Sequence, residues 1–341
     1  MNTTSIRTGL ALSGWLSACV IGGCVKRTET IRVEPAGAVH FKSVFEGDVD
    51  DVRNGDPLLA DPGPWSVSEK VEVDDKGKET LIRTAQLTVE PGGELPSRYC
   101  ADDDGVARWA LEMPTSLRVE PRADGVYYHF KRIYRRRNWA FIDYYGREFV
   151  EEEVKALENT EFADLEPTKQ RSIVRALIGF EAVKTQALAD ATADQLGPSL
   201  RQDQRLAVHQ GIATVFEAIP TERIIDALQM DDEQADQAIS AEVQRVHGKI
   251  KEMIESVLDQ ADPSGRTAQA FLAELDQQRL GYSITQDIQD DAWEVYLELP
   301  GRLLGHNGDG VKDGAVKWEF GGSALCDRDQ VLMATSIVTG P

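Results

Sequence analysis

The chain has 341 residues, with 37 lysines and arginines against 58 aspartates and glutamates, for a formal net charge of −21. A hydrophobic share of 41% with 7% aromatics is enough to bury a core and excludes a disordered chain. So acidic a polymer repels polyphosphate, which argues against nucleic acid as a partner, and four cysteines without a C-x-x-C pair supply neither a disulfide scaffold nor a zinc or redox motif.

Residues Met1 to Thr8 carry one cation, Arg7, and an uncharged stretch from Gly9 to Gly23 follows, with Leu10, Leu12, Trp15, Leu16, Val20 and Ile21. A short positive segment before a brief apolar run reads as a signal peptide over residues 1–23. The run falls short of the roughly twenty residues a spanning helix needs. It ends in Ile21-Gly22-Gly23-Cys24, which resembles the bacterial lipobox: a branched apolar residue, two small residues and a cysteine. The resemblance implies acylation of Cys24 with palmitate-type chains and anchoring as an extracytoplasmic lipoprotein. With Val rather than Asp at position 25, it also implies the periplasmic side of an outer membrane. The alternative is an ordinary signal peptide cleaved near Ala18, with Cys24 a plain thiol. One acyl chain binds marginally, and several make the anchoring stable. Few residues separate Cys24 from the first strand-like run near Ile31, so the folded part is expected close to the lipid, with Lys26 and Arg27 near anionic head groups.

Beyond the leader, alternating apolar and β-branched residues predict antiparallel strands at 31–33, 67–73, 80–89, 126–134, 293–299, 316–320 and 331–337. Turns at Pro35-Ala36-Gly37, Asp75-Lys76-Gly77, Ala123-Asp124-Gly125 and Asp313-Gly314 separate them. Between Arg147 and Gly281 there is no Trp, Tyr or Cys, and the pattern is helical, punctuated by Glu166-Pro167-Thr168, Gly197-Pro198-Ser199, Ile219-Pro220-Thr221 and Asp262-Pro263-Ser264. Asp262 is expected as an N-cap with Pro263 at the first helical position. Ile239, Val243, Val246, Ile250, Met253 and Val257 form one seam that needs a partner helix, for which residues 168–196 are the candidate. Asp231-Asp232-Glu233 reads as a fresh helix start, dividing residues 221–261 into two helices. The expected fold is therefore α+β: an antiparallel β-rich domain in two parts, 24–145 and 283–341, interrupted by a helical insertion over 146–282. Cys100 and Cys326 flank the insertion and are disulfide candidates in an oxidising compartment, the alternative being two buried thiols.

Catalytic motifs are weak. Gly321-Gly322-Ser323-Ala324-Leu325 has Leu where a nucleophile elbow needs its last Gly. The histidines (His40, His129, His209, His247 and His306) lack metal spacing. Gly305 to Gly310 reads as a mobile loop, and Asn307, Asp309 and Asp313 fail the calcium-loop pattern. No metal or cofactor is expected. The one basic excursion is Lys131, Arg132, Arg135, Arg136 and Arg137, set among Tyr127, Tyr128, Phe130 and Trp139. It is a candidate surface for an anionic glycan, a head group or an acidic partner. The competing reading turns Tyr128, Phe130 and Tyr134 inward and pairs the cations with acids of the helical block.

The ending Leu299-Pro300-Gly301, Asn307-Gly308, Val316-Lys317-Trp318-Glu319-Phe320 and Ala334-Thr335-Ser336 resembles the close of LppM-type envelope lipoproteins. That resemblance implies a terminal β-meander through a Pro-Gly and an Asn-Gly turn. The chain departs from the pattern in its helical insertion, and no functional residue is carried over. The functional expectation is a non-catalytic, membrane-anchored adaptor with an envelope protein partner. The alternatives are a carrier holding a hydrophobic ligand between sheet and helices, and an envelope hydrolase.

Overall fold

A computed structural model describes residues 25–49, 52, 64–75, 77–99, 107–137, 150, 152–158, 160–260, 262, 264–289 and 291–339. The fold is α+β, with eleven strands in two mainly antiparallel sheets and a central run of helices among the described residues. It divides into a β unit, residues 22–138 with 283–341, and a helical unit that includes residues 139–282.

The strands are β1 (Lys26–Val33), β2 (Val39–Gly47), β3 (Ser66–Val73), β4 (Glu79–Val89), β5 (Thr115–Arg122), β6 (Gly125–Tyr134), β7 (Ala292–Glu298), β8 (Arg302–His306), β9 (Gly310–Lys312), β10 (Ala315–Gly321) and β11 (Gln330–Val338). A seven-stranded sheet runs β3-β4-β2-β1-β7-β10-β9, and a four-stranded sheet runs β5-β6-β11-β8. β1 is parallel to β7 and antiparallel to β2. Period-two alternation sends Ile31 and Val33 of β1, Val39, Phe41 and Phe45 of β2, Tyr128, Phe130 and Tyr134 of β6 and Trp293, Val295 and Leu297 of β7 into the interior. The two sheets face one another across this layer. Tyr128 Oη donates to the Pro35 carbonyl at 2.6 Å, and the Tyr134 and Phe320 rings meet edge-on at 5.3 Å.

The terminal strands do not form the single meander expected of them, because β8 and β11 lie in the smaller sheet while β7, β9 and β10 lie in the larger. Two crossings depend on glycine. Gly301 has φ +80°, and a Cβ there would meet the Ile337 carbonyl oxygen at 2.1 Å. At Gly308 it would meet the Lys317 carbonyl oxygen at 2.6 Å. The second crossing, expected as a mobile loop, is pinned. Asn307 Oδ1 accepts from Trp318 Nε1 of β10 at 3.0 Å and from the Met333 amide of β11 at 2.8 Å, while Nδ2 donates to the Val331 carbonyl at 2.6 Å. Asp309 Oδ2 accepts from the Glu319 amide at 2.7 Å. Two of the three residues weighed as calcium ligands, Asn307 and Asp309, thus hold neighbouring strands instead.

In the helical unit, α1 (Pro167–Leu196) opens with proline at a first-turn position and closes at Gly197, where φ is +58°. It is followed by α2 (Gln202–Glu217), α3 (Thr221–Leu228), α4 (Asp232–Asp259) and α5 (Arg266–Gln289), the last of which continues past the unit boundary at Tyr282. The break before α4 falls where the acidic start predicts it, and Asp231 Oδ1 caps α4 by accepting from the Gln234 amide at 3.1 Å. Asp262 also serves a helix start, accepting from the Thr267 amide and hydroxyl at 3.1 and 2.9 Å. The helix nevertheless begins later than expected, at Arg266, after Gly265 with φ +71°. The apolar seam of α4 packs on α2 rather than on α1. Gly211 permits the approach, since a Cβ there would stand 2.4 Å from Met253 Sδ. The core is Ile, Leu, Val, Ala and Phe, with Ile173, Ile212, Ile254, Leu258 and Phe271 at its centre.

Candidate functional site at the start of the first strand

β1 begins two residues after Cys24, and its first turn of chain is held by charge. Val25, the first described residue, is 3% exposed, and its amide donates to Asp291 Oδ1 at 3.1 Å. Asp291 Oδ2 accepts from Arg27 Nε at 2.9 Å and from Nη2 at 2.6 Å. The guanidinium lies between the Phe45 and Trp293 rings, 5.5 and 4.9 Å from their centroids, and Trp293 stacks on Phe320. In a medium of low dielectric a buried carboxylate and guanidinium of this kind compensate each other's charge, and loss of either removes that compensation.

A second buried pair lies further along β1. Arg132 Nη1 of β6 sits 3.1 Å from Glu29 Oε2, and Tyr134 Oη donates to Glu29 Oε1 at 2.9 Å. Arg132 lies over Phe41 and Tyr134 and donates to Met113 Sδ. Ser43 Oγ donates to Tyr99 Oη at 3.1 Å. Burial, reinforced by the Glu29 charge, pushes the Tyr99 phenol far above its ordinary range. Tyr134 is likewise raised by burial, against the opposing pull of Arg132. Burial disfavours the Arg132 cation, but Glu29 and the two phenols outweigh it and raise its pKa. The two pairs link β1 to β7 on one side and to the facing sheet on the other.

This arrangement corrects two expectations. Arg27, placed by the sequence near lipid head groups, is 1% exposed and points inward, because its parity in β1 is that of Ile31 and Val33. Of the expected basic and aromatic surface, Tyr128, Phe130 and Arg132 are inward and 2% exposed or less. Lys131, Arg135 and Arg136 remain exposed. Arg135 Nη1 pairs with Asp329 Oδ2 at 2.8 Å and the Arg136 amide donates to Asp329 Oδ1, so these partners belong to the β unit and not to the helical block. Arg137 donates to the Trp109 carbonyl at 2.6 Å and to Thr285 Oγ1 at 3.1 Å, and burial pushes its pKa down to about 10. Cys326 is buried in the turn Ala324–Asp327, while Cys24 and Cys100 lie outside the described residues.

In the helical unit, a cleft of about 470 Å³ runs along α1, lined by Ala176, Gly179, Phe180 and Val183 with Glu153, Ser172 and Arg175 among them. Beside it Lys184 pairs with Glu181 and lies over the Phe180 and Tyr282 rings, and burial raises the Glu181 pKa. Among the described residues no three His, Cys, Asp or Glu side chains converge as a metal site, and no helix is long and apolar enough to cross a membrane.

No family model matches the chain, and no curated protein matches it. Among solved structures it is similar to the folded domain of LppM from Mycobacterium tuberculosis, determined by NMR. The match covers 95% of each chain at 8% identity, with a TM-score of 0.29. A likeness of that degree assigns neither a fold family nor a role.

Proposed function

We propose that this protein is a lipid-anchored envelope adaptor, acylated at Cys24, in which the β unit is the membrane-proximal body and the acidic helical unit offers a surface to a protein partner. One observation carries the reading: the residue after the lipobox cysteine is already inside the fold. Val25 is buried and tied to Asp291, so an acylated Cys24 stands one peptide from a rigid strand with no spacer between lipid and domain. The sequence pattern from Arg7 to Cys24 and its resemblance to a lipobox support the modification itself.

Metabolic labelling with radioactive palmitate tests the anchor. Incorporation is expected in the parent and not in Cys24→Ser, with the parent in the membrane fraction. An unprocessed, unlabelled product overturns it. Photo-crosslinking from Leu206, which is 56% exposed on α2, tests the adaptor role, and one reproducible protein adduct is the expected result.

The cleft along α1 favours a second reading, a carrier of a hydrophobic ligand. Its size suits a small ligand and its wall is largely apolar. Native mass spectrometry of gently purified protein distinguishes this reading by a bound lipid in near-stoichiometric amount.

A further inference from the structure

The start of β1 and the tip of the β3–β4 hairpin lie at the same end of the larger sheet. Lys26 pairs with Glu46, Gly47 with Leu81, and Leu81 with Val71. Val25 stands beside Gly47, where a Cβ would lie 3.2 Å from Val25 Cγ2. Val25, Gly47, Leu81 and Val71 therefore form one row across four strands. Going outward from that row, the chain before Val25 leads to Cys24, whereas β3 and β4 continue to Val73 and Glu79 before their turn. At about 3.3 Å per residue, Val73 lies roughly 7 Å beyond the row, at least as far out as the residue that would carry the lipid. Three strand spacings, about 14 Å, separate the two laterally.

The tip is built to protrude. Asp74 Oδ1 accepts from the Lys78 amide at 2.8 Å, the Asp74 amide donates to the Lys78 carbonyl at 3.0 Å, and Gly77 takes φ +81°. Val71 and Val73 share a sheet face with Leu81, which is fully buried, yet they are 40% and 60% exposed because the face runs past the interior. Acidic and basic groups alternate around them, and Lys70 pairs with Glu72 at 2.6 Å. From Glu69 to Glu79 five acids stand against three lysines, and an apolar pair in so slightly acidic a setting suits the interface of a zwitterionic bilayer rather than a strongly anionic one.

We infer that the β3–β4 hairpin tip is a second membrane contact, seating Val71 and Val73 in the interface of the bilayer that holds the acyl chains. This rests on the acylation of Cys24 proposed above. With two contacts on one end of one sheet, the β unit is oriented at the surface and does not swing from its lipid.

The test uses full-length protein purified from membranes and reconstituted into phosphatidylethanolamine vesicles containing brominated acyl chains. Val73→Trp is compared with the parent and with Val311→Trp, an exposed site on β9 in register with the far half of the sheet. Intact mass on each sample reads acylation separately. The expected result is acylated protein in all three, with added quenching for Val73→Trp and none for Val311→Trp. Acylated protein with no added quenching at position 73 overturns the membrane contact and leaves the anchor standing. Mass without acyl chains overturns both.

Discussion

The two units bury different materials. The interior of the β unit contains two guanidinium–carboxylate pairs, Arg27 with Asp291 and Arg132 with Glu29, each placed between aromatic rings. The helical unit fills its interior mainly with aliphatic side chains, and its buried Glu242 is answered by Arg223 and Arg245 on the same helical block. Apolar burial is non-directional and tolerates exchange of similar volumes, whereas a desolvated ion pair demands one partner at one place. The sheets are thus specified by charge and register, and the helices by pattern and volume. Of the five tryptophans beyond the leader, Trp65, Trp109, Trp293 and Trp318 belong to the β unit and Trp139 falls at the start of the helical unit's range, so tryptophan emission follows mainly the β unit while far-ultraviolet circular dichroism follows mainly the helices.

That contrast can be broken by experiment. Asp291→Ala removes the carboxylate that Arg27 and the Val25 amide share, and is expected to cost the β unit about 3–5 kcal/mol in urea unfolding followed by tryptophan emission. The helical dichroism should hold to higher denaturant, and simultaneous loss of both signals would show that the units unfold together. Ile254→Ala, a fully buried position of α4, is expected to cost the helical unit about 2–5 kcal/mol with little change in the tryptophan transition.

The alkaline response sharpens the difference further. Folded Tyr99 and Tyr134 keep protons that an unfolded chain releases near pH 10, so the folded state binds more protons above that pH and stability falls as pH rises. Each phenol contributes a slope of about 1.4 kcal/mol per pH unit. Tyr99→Phe should flatten the decline of the tryptophan midpoint above pH 10 and leave the helical transition unmoved. The smallest effect is expected from Asp231→Ala, which removes the α4 cap and should lower helical stability by about 1 kcal/mol.

Much of the architecture was legible from period and punctuation. The runs at 80–89, 126–134, 293–299 and 331–337 lie within or overlap β4, β6, β7 and β11, and the acidic start at Asp231 marks α4. β2 was harder to see because Ser43 interrupts the inward row of Val39, Phe41 and Phe45, and β5 because Pro121 and its charges suit an edge strand. The buried pairs were hidden for a physical reason. A charged residue in a strand is assigned to solvent by default, although Arg27 and Glu29 share the parity of Ile31 and Val33, and Arg132 that of Phe130 and Tyr134. Parity read without regard to charge would have placed all three inside. Asp291 precedes β7 with no periodic context, and only the fold brings it to Arg27. The helix partner of the α4 seam was misassigned because a seam states that a partner is needed without naming it.

The parallel junction of β1 with β7 has a temporal consequence. Val25 and Asp291 are 266 residues apart, so at ordinary ribosomal speeds of 5–20 residues per second the opening strand waits roughly 13–50 s for its neighbour to be made. Throughout that interval Arg27 lacks its carboxylate and the edge of β1 is open to any strand nearby. The junction of β1 with β7 therefore cannot close while only the first third of the chain has been made, in whatever compartment the chain folds.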